Sequence, residues 1–304
     1  MKRAQQVQYI GFLHRHPYAT DAYELGFAPG VREDYRYGTY SVPNVDLPVV
    51  VLDNDFHNPD IHRYLEYFEK YDPSVAVLGD AYTPGETEGL NQFATGLKDT
   101  YPYKEFVVVP KCARAFSILD EDIVLGYPMG YSDVQAIEYS DLEDWRGRRV
   151  HLLGASPPKQ YAVIEELTQP LLTGHPPSDI VGLDWTGPQK AAYLGEYWSR
   201  TGWKPADHLS IRETVRESLK EIKMFWQKRG VWPSTEPIDL YGPAVDEPDE
   251  HIFMDNGGEP IPDREALETA YVATYEEYGS LAFQNKSKKK FIECREGLQK
   301  QASG

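Results

Sequence analysis

The sequence predicts an α/β fold, a (β/α)8 TIM-like barrel with a C-terminal helical extension. Three observations carry that expectation. Short runs of Val, Ile and Leu recur along the chain, and continuous rather than alternating apolar runs suit strands of a parallel sheet buried on both faces. Amphipathic segments lie between several of them, the strand–helix alternation of a doubly wound sheet or a barrel. The length, 304 residues, suits one such barrel or two modest domains.

In chain order the strand-like runs are VQYIGFL (7–13), LPVVVLD (47–53), SVAVLGD (74–80), EFVVVPK (105–111), DIVLGYP (122–128), RRVHLLGA (148–155) and DIVGLDW (179–185). The weak run HIFMD (251–255) is the candidate for an eighth. Helices are expected over 59–71, with Pro59 at the first helical position, over 157–172, over 188–202, with Gly202 closing the helix, and over 210–230. A connection rich in Pro, Asp and Glu follows (233–263), then a helix over 264–284 and the basic stretch 285–300. The expected division is a barrel over 1–232, with the acidic connection and C-terminal helices of 233–304 packed on it.

A composition of 41% hydrophobic residues, with six Trp and 22 Tyr, can build a substantial core. The net charge is −17 and the pI about 4.9. That balance fits an acidic enzyme or a chain adapted to a high-salt cytoplasm, and it argues against nucleic-acid binding through net charge alone. A local basic groove is still compatible with it. Two cysteines, Cys112 and Cys294, support neither a disulfide framework nor a four-cysteine zinc site. The opening MKRAQQVQYIGFLHRH has no long apolar segment, and no window is long enough to span a membrane. The expected compartment is therefore the cytoplasm, a host's cytoplasm if the chain is viral. Neither a cofactor nor a metal is expected.

Three runs end in a carboxylate: Asp53, Asp80 and Asp184. Active sites of parallel α/β folds lie at the C-terminal ends of the strands. A single strand-end Asp more often caps a helix or shapes a turn. Three of them, beside the glycine-containing ends GYPMG (126–130) and LLGASPP (152–158), point to a carboxylate-based site where backbone can approach a flat ligand.

These segments resemble, in order, motifs of the tRNA-guanine transglycosylases. VLDNDF (51–56) corresponds to a strand ending in Asp. VLGDAYTPGET (77–87) is similar to the family's Asp-Glu-Cys-Thr-Pro segment. GYPMG resembles its Gly-Tyr-Ala-Ile-Gly-Gly loop, HLLGASPPKQ (151–160) its Leu-Met-Gly-Val-Gly-Thr-Pro-Glu-Asp, and DIVGLDWTG (179–187) stands where the nucleophilic Asp lies. The zinc site of the RNA-modifying members is not reproduced, nor is their Asp-Cys-Val-Leu-Pro-Thr-Arg motif, so the register at Asp184 is a choice. Missing zinc, the Asp-Trp pair and the compact length look more like the branch that inserts 7-deazaguanines, such as 7-cyano-7-deazaguanine, into DNA. That branch occurs in phages, archaeal viruses and DNA-modification gene clusters, and an acidic composition would suit a haloarchaeal or haloviral member.

The resemblance implies base exchange by double displacement through a covalent Asp–glycosyl intermediate. Asp184 would be the nucleophile and Asp53 the proton shuttle or a sugar-side partner. Asp80 would read the donor edge of guanine or the incoming deazaguanine. Gly126, Gly130, Leu153 and Gly154 would wall the base slot, and Tyr127 or Trp185 would stack on the base. Lys286, Lys288, Lys289 and Lys290 are either a solvated helix end or phosphate contacts. The target base must be flipped from a duplex or met single-stranded. The expected partner is DNA, with tRNA as the second choice. A catalytically silent barrel that binds a nucleic acid or a purine-like base is the alternative from another class. His14-Arg15-His16 is assigned to a surface or phosphate-contact loop, His57 to a helix-entry hydrogen bond, and Arg146, Arg148 and Arg149 to structure at the opposite face.

Overall fold

The computed structural model describes residues 6–14, 17–33, 47–56, 59–129, 132, 134–172, 174–206, 208–244, 253–254 and 260–261. Eight parallel strands close into a barrel: β1 (Tyr9–Leu13), β2 (Ala28–Arg32), β3 (Val51–Asp53), β4 (Val75–Ala81), β5 (Glu105–Pro110), β6 (Val124–Pro128), β7 (Arg149–Leu153) and β8 (Asp179–Asp184). Closure is the parallel pairing of β1 with β8, Gly11 opposite Asp184. Around the strands run α1 (Tyr18–Glu24), α2 (Ile61–Tyr71), α3 (Pro84–Thr100), α4 (Ala115–Ile118), α5 (Leu142–Trp145), α6 (Pro157–Thr168), α7 (Gly187–Tyr193), α8 (Ile211–Arg229) and α9 (Pro237–Tyr241).

All seven strand-like runs form barrel strands, and the eighth strand is a different one. It is β2, whose sequence APGVR contains Pro29 and Gly30, residues that ordinarily signal a turn. Gly30 is needed there: a Cβ would lie 2.7 Å from both the Leu13 side chain and the Val51 carbonyl oxygen. HIFMD does not join the barrel. Phe253–Met254 pairs antiparallel with Pro260–Ile261 in a separate two-stranded ribbon.

Helix ends also differ from expectation. Asp60 caps α2 by accepting from the backbone N–H groups of His62 and Arg63, so Pro59 lies before the cap. The segment expected as one helix over 188–202 is α7 followed by an antiparallel hairpin, β9 (Glu196–Ser199) and β10 (Gly202–Pro205). Gly202, at φ +110°, opens β10 rather than closing a helix. α8 matches its expected span. It starts at a Ser210–Glu213 capping box and ends at Gly230 in the left-handed conformation.

Two apolar layers hold the barrel. Alternate strand residues such as Ile10, Leu52, Phe106, Leu125, Leu152 and Leu183 face the helices. The interior is filled by Tyr9, Leu13, Ala28, Val51, Val75, Val77, Val107, Val109, Val124 and Val181. Beneath them, at the N-terminal ends, Arg149 makes a bidentate ion pair with Glu105 at 2.6 and 2.7 Å. Arg146 and Arg148 donate to loop carbonyls, Arg146 to that of Gln169 at 2.9 Å and Arg148 to that of Asp120 at 2.7 Å. These three arginines are structural, as expected.

The chain after α8 begins by docking on the barrel. Tyr23 donates to the Gly242 carbonyl, and Ile238 and Ala244 pack with Ala19, Tyr23 and Leu47. The helix expected over 264–284 and the basic stretch beyond it lie outside the described residues. Among the described residues no helix is long and apolar enough to cross a membrane.

Candidate active site at the barrel mouth

Strand alternation and two register irregularities decide which side chains enter the mouth. In β3, Val51 faces the interior and Leu52 the helices, which leaves Asp53 facing inward. In β4, Val75 and Val77 face inward while Ala76 and Leu78 face outward. Simple alternation would then send Asp80 outward. A register shift between Val77 and Gly79 resets the phase and sets Asp80 opposite the interior residue Val109. In β8 the shift falls at Val181, so Val181 and Gly182 both face the interior. Leu183 then faces outward and Asp184 inward. A bulge that re-aims a side chain is a frequent neighbour of active sites; here two of them each turn an aspartate inward.

Gly182 shares the inner face with Asp184 because a Cβ there would collide with the Tyr9 ring. Tyr9 is the floor of the mouth. Its hydroxyl lies 2.6 Å from His151 Nδ1, and the two rings stack at 5.4 Å. Burial lowers the His151 imidazole to about 3, so the bond between it and the tyrosine hydroxyl joins two uncharged groups.

Asp184 is held from two sides. Its Oδ1 accepts from the Gly154 backbone N–H at 2.6 Å. The buried Gln160 of α6 donates through Nε2 to the carbonyl oxygens of Gly154 at 2.7 Å and Asp184 at 2.6 Å, tying the ends of β7 and β8 together. Burial raises the Asp184 carboxyl to about 6, against the lowering effect of the Gly154 N–H. Asp53 is raised further, to about 8. Burial is the main cause, Arg32 opposes it, and the neighbouring carboxylates of Asp184 and Asp80 add to it. The two carboxyl groups are thus set apart, Asp53 holding its proton to higher pH than Asp184.

Asp80 lies 3.3 Å from Lys111 Nζ and accepts from the Tyr82 hydroxyl at 3.2 Å, both through Oδ2. Lys111 follows β5, is almost fully buried and also donates to Ser132. Two more cations complete the rim. Arg32, at the end of β2, is in register with Asp53. Lys190 of α7 is lowered to about 8 by burial, with the Arg32 charge adding to it. The sequence reading missed Gln160, Lys111, Arg32 and Lys190. Lys111 stands two residues beyond the inward Val109, a signal that alternation could have supplied.

The remaining expected site residues divide. Leu153 faces the interior beside the valine cluster and Gly154 serves Asp184. Gly126 faces inward, but a Cβ there would lie 2.7 Å from Val109 and 2.9 Å from Leu153; the glycine makes room for those side chains and is not an open ligand wall. Tyr127 is corrected: it faces the helices, its ring 4.6 Å from that of Trp145. Trp185, one residue past the inward Asp184, likewise packs outside the mouth, against Trp198 at 6.1 Å and Trp203 at 6.2 Å. Gly130, His57 and Lys286, Lys288, Lys289 and Lys290 lie outside the described residues. His14 stacks on Phe12 and meets Tyr18 edge-on. Among the described residues no three His, Cys, Asp or Glu side chains gather as a metal-binding group.

Residues 22–227 match the sequence profile of a family of unknown function, DUF6610. The chain belongs to that family. The match takes in β2 to β8, both register shifts, the three inward aspartates and the hairpin, so the whole described mouth except its β1 side is DUF6610 sequence. Among curated proteins no match is found. Among solved structures, the YdjI aldolase from Escherichia coli K12 is similar at 13% identity and a TM-score of 0.40, over 78% of this chain and 92% of that one.

Proposed function

We propose that this protein is a nucleic-acid base-exchange enzyme, replacing guanine in DNA with a 7-deazaguanine through a covalent intermediate on Asp184. The observation that carries the reading is the pair of inward carboxyl groups at the ends of β3 and β8, set by burial to about 8 and about 6. Such a pair suits a double displacement, which needs an ionised nucleophile beside a proton donor.

In the first step a carboxylate oxygen of Asp184 attacks the anomeric carbon. The glycosidic C–N bond breaks, its electron pair leaves with guanine, and the Asp53 carboxyl donates the proton that neutralises the leaving base. In the second step the Asp53 carboxylate takes the ring N–H proton of the incoming deazaguanine. That nitrogen attacks the anomeric carbon, and the C–O bond to Asp184 breaks. The Gly154 N–H and the Gln160 bridge fix Asp184 on a stiff strand end, where positioning is worth most. Asp80 accepts hydrogen bonds from the guanine edge, and the ion pair with Lys111 holds its carboxylate in place.

The test is incorporation of labelled 7-cyano-7-deazaguanine into guanine-containing DNA, with tRNA as the parallel substrate. Incorporation into DNA supports the reading. Incorporation into tRNA alone moves the substrate to RNA. Binding of DNA and base with no exchange favours a silent barrel.

A further inference from the structure

Tyr82 stands one step above Asp80 on the inner side of the barrel mouth. The register shift in β4 turns Asp80 inward and leaves Ala81 among the outward core residues, so alternation returns Tyr82 to the inner side. Its hydroxyl donates to Asp80 Oδ2 at 3.2 Å. Lys111 is set beside it by the next strand, its backbone N–H donating to the Ala81 carbonyl oxygen at 2.9 Å. The Lys111 ammonium lies over the Tyr82 ring, 5.6 Å from the centroid, and 3.3 Å from the same Asp80 oxygen.

The phenol is the weaker and the freer of the two partners on that oxygen. An O–H···O bond is ordinarily about 2.7–2.8 Å long, so the one to Asp80 is stretched. Tyr82 is 39% exposed, whereas the Lys111 side chain is almost fully buried. The backbone beneath the tyrosine is fixed: Tyr82 and Thr83 donate their N–H groups to Glu86 Oε2 at 3.0 and 2.9 Å, and Thr83 caps α3. The side chain can therefore turn about its own torsions without moving the strand end.

We infer that Tyr82 is a gate on Asp80. Its phenol occupies the carboxyl oxygen that would read a ligand; a planar heterocycle with adjacent N–H donors displaces the phenol, takes its place on Asp80 and stacks on the tyrosine ring. The identity of that heterocycle as a guanine-type base rests on the base-exchange reading; the gate rests on the Tyr82–Asp80 contact. Tyr82 thereby supplies the stacking surface that Tyr127 and Trp185, packed outside the mouth, do not. Its hydroxyl and its ring act on affinity in opposite directions, the one by competing for Asp80 and the other by stacking.

The test measures binding of guanine and of 7-cyano-7-deazaguanine by calorimetry to the parental chain, Tyr82→Phe and Tyr82→Ala, with thermal melting to establish that each is folded. Tyr82→Phe keeps the ring and removes the competing hydroxyl, so it is expected to bind both bases about threefold to tenfold more tightly. Tyr82→Ala is expected to bind them about tenfold more weakly than Tyr82→Phe, for the lost stacking. An unchanged or weaker affinity in Tyr82→Phe would overturn the gate, because a hydroxyl that merely supports Asp80 cannot tighten binding by leaving. Equal affinities in the two variants would overturn the stacking. Shifts of the expected signs with no incorporation of labelled base into DNA or tRNA would uphold the gate in a barrel that binds bases without exchanging them. A parental chain that binds neither base would overturn the gate and the base-exchange reading together.

Discussion

The Asp184 carboxylate accepts a 2.6 Å hydrogen bond from the backbone N–H of Gly154, a residue at φ +77° followed by Ala155 at φ +63°. The left-handed turn after β7 aims that N–H at the end of β8. Gly154→Ala puts a Cβ 3.3 Å from the Met129 carbonyl oxygen and forces a left-handed alanine. The expected loss of stability is about 1–2 kcal/mol, read from the denaturant midpoint. Exchange should fall by more than the lost stability explains, because the donor that fixes Asp184 moves.

Activity should follow a bell-shaped pH profile. By the proposed route exchange needs Asp184 ionised and Asp53 protonated; with these groups set at about 6 and about 8, kcat/KM should peak between those values. In Asp53→Asn the alkaline limb should disappear and the rate fall by about 10²–10⁴-fold, the usual contribution of a proton-transferring group. An unchanged alkaline limb in that variant would remove Asp53 from the proton transfer.

Stability carries a matching signature. The folded-state value of Asp53 is raised, so between the unfolded value near 4 and about 8 the folded chain binds a proton that the unfolded chain does not. Stability should therefore fall as pH rises through that window, by up to about 1.4 kcal/mol per pH unit from this group. Asp53→Asn removes that slope and should raise the melting temperature at pH 7. Melting curves of both proteins from pH 5 to pH 8 check this.

Much of the barrel was legible because its strands are continuous apolar runs. β2 was not, since Pro and Gly ordinarily signal a turn, and it is the packing of Leu13 against the Gly30 backbone that requires the glycine. The strand-end aspartates were visible in the sequence, whereas their inward aim was not, because in β4 and β8 it depends on register shifts that alternation cannot reveal. Tyr127 and Trp185 were misplaced for a related reason. They flank the mouth in sequence, but alternation turns both toward the helix layer. Gln160 and Lys190 sit on helices, and nothing in their local pattern marks them as rim residues.

Base recognition should depend on Asp80 in a way that can be separated from folding. Sequence alone suggests that its loss leaves the fold intact; the structure makes it the partner of the buried Lys111. Asp80→Asn should therefore weaken deazaguanine binding, by about 1.5–3 kcal/mol for a lost charged hydrogen-bond partner, and also destabilise the chain by leaving the Lys111 charge poorly paired. Adding Lys111→Met should recover stability without recovering base affinity. Calorimetry and thermal melting on the three variants check both effects; full deazaguanine affinity in a folded Asp80→Asn protein would defeat the assignment.

Whether Asp184 becomes covalently bound to the sugar is tested most directly by trapping a DNA–protein adduct on denaturing gels, alongside incorporation of labelled deazaguanine, in the parental chain and in Asp184→Asn. Asn keeps the shape, can still accept from the Gly154 N–H and removes a buried charge, so the variant should fold at least as stably. The expected result is an adduct and exchange in the parental chain, and in the variant no adduct and exchange lower by orders of magnitude with DNA and base still bound. An Asp184→Asn protein that exchanges bases at near the parental rate would contradict it.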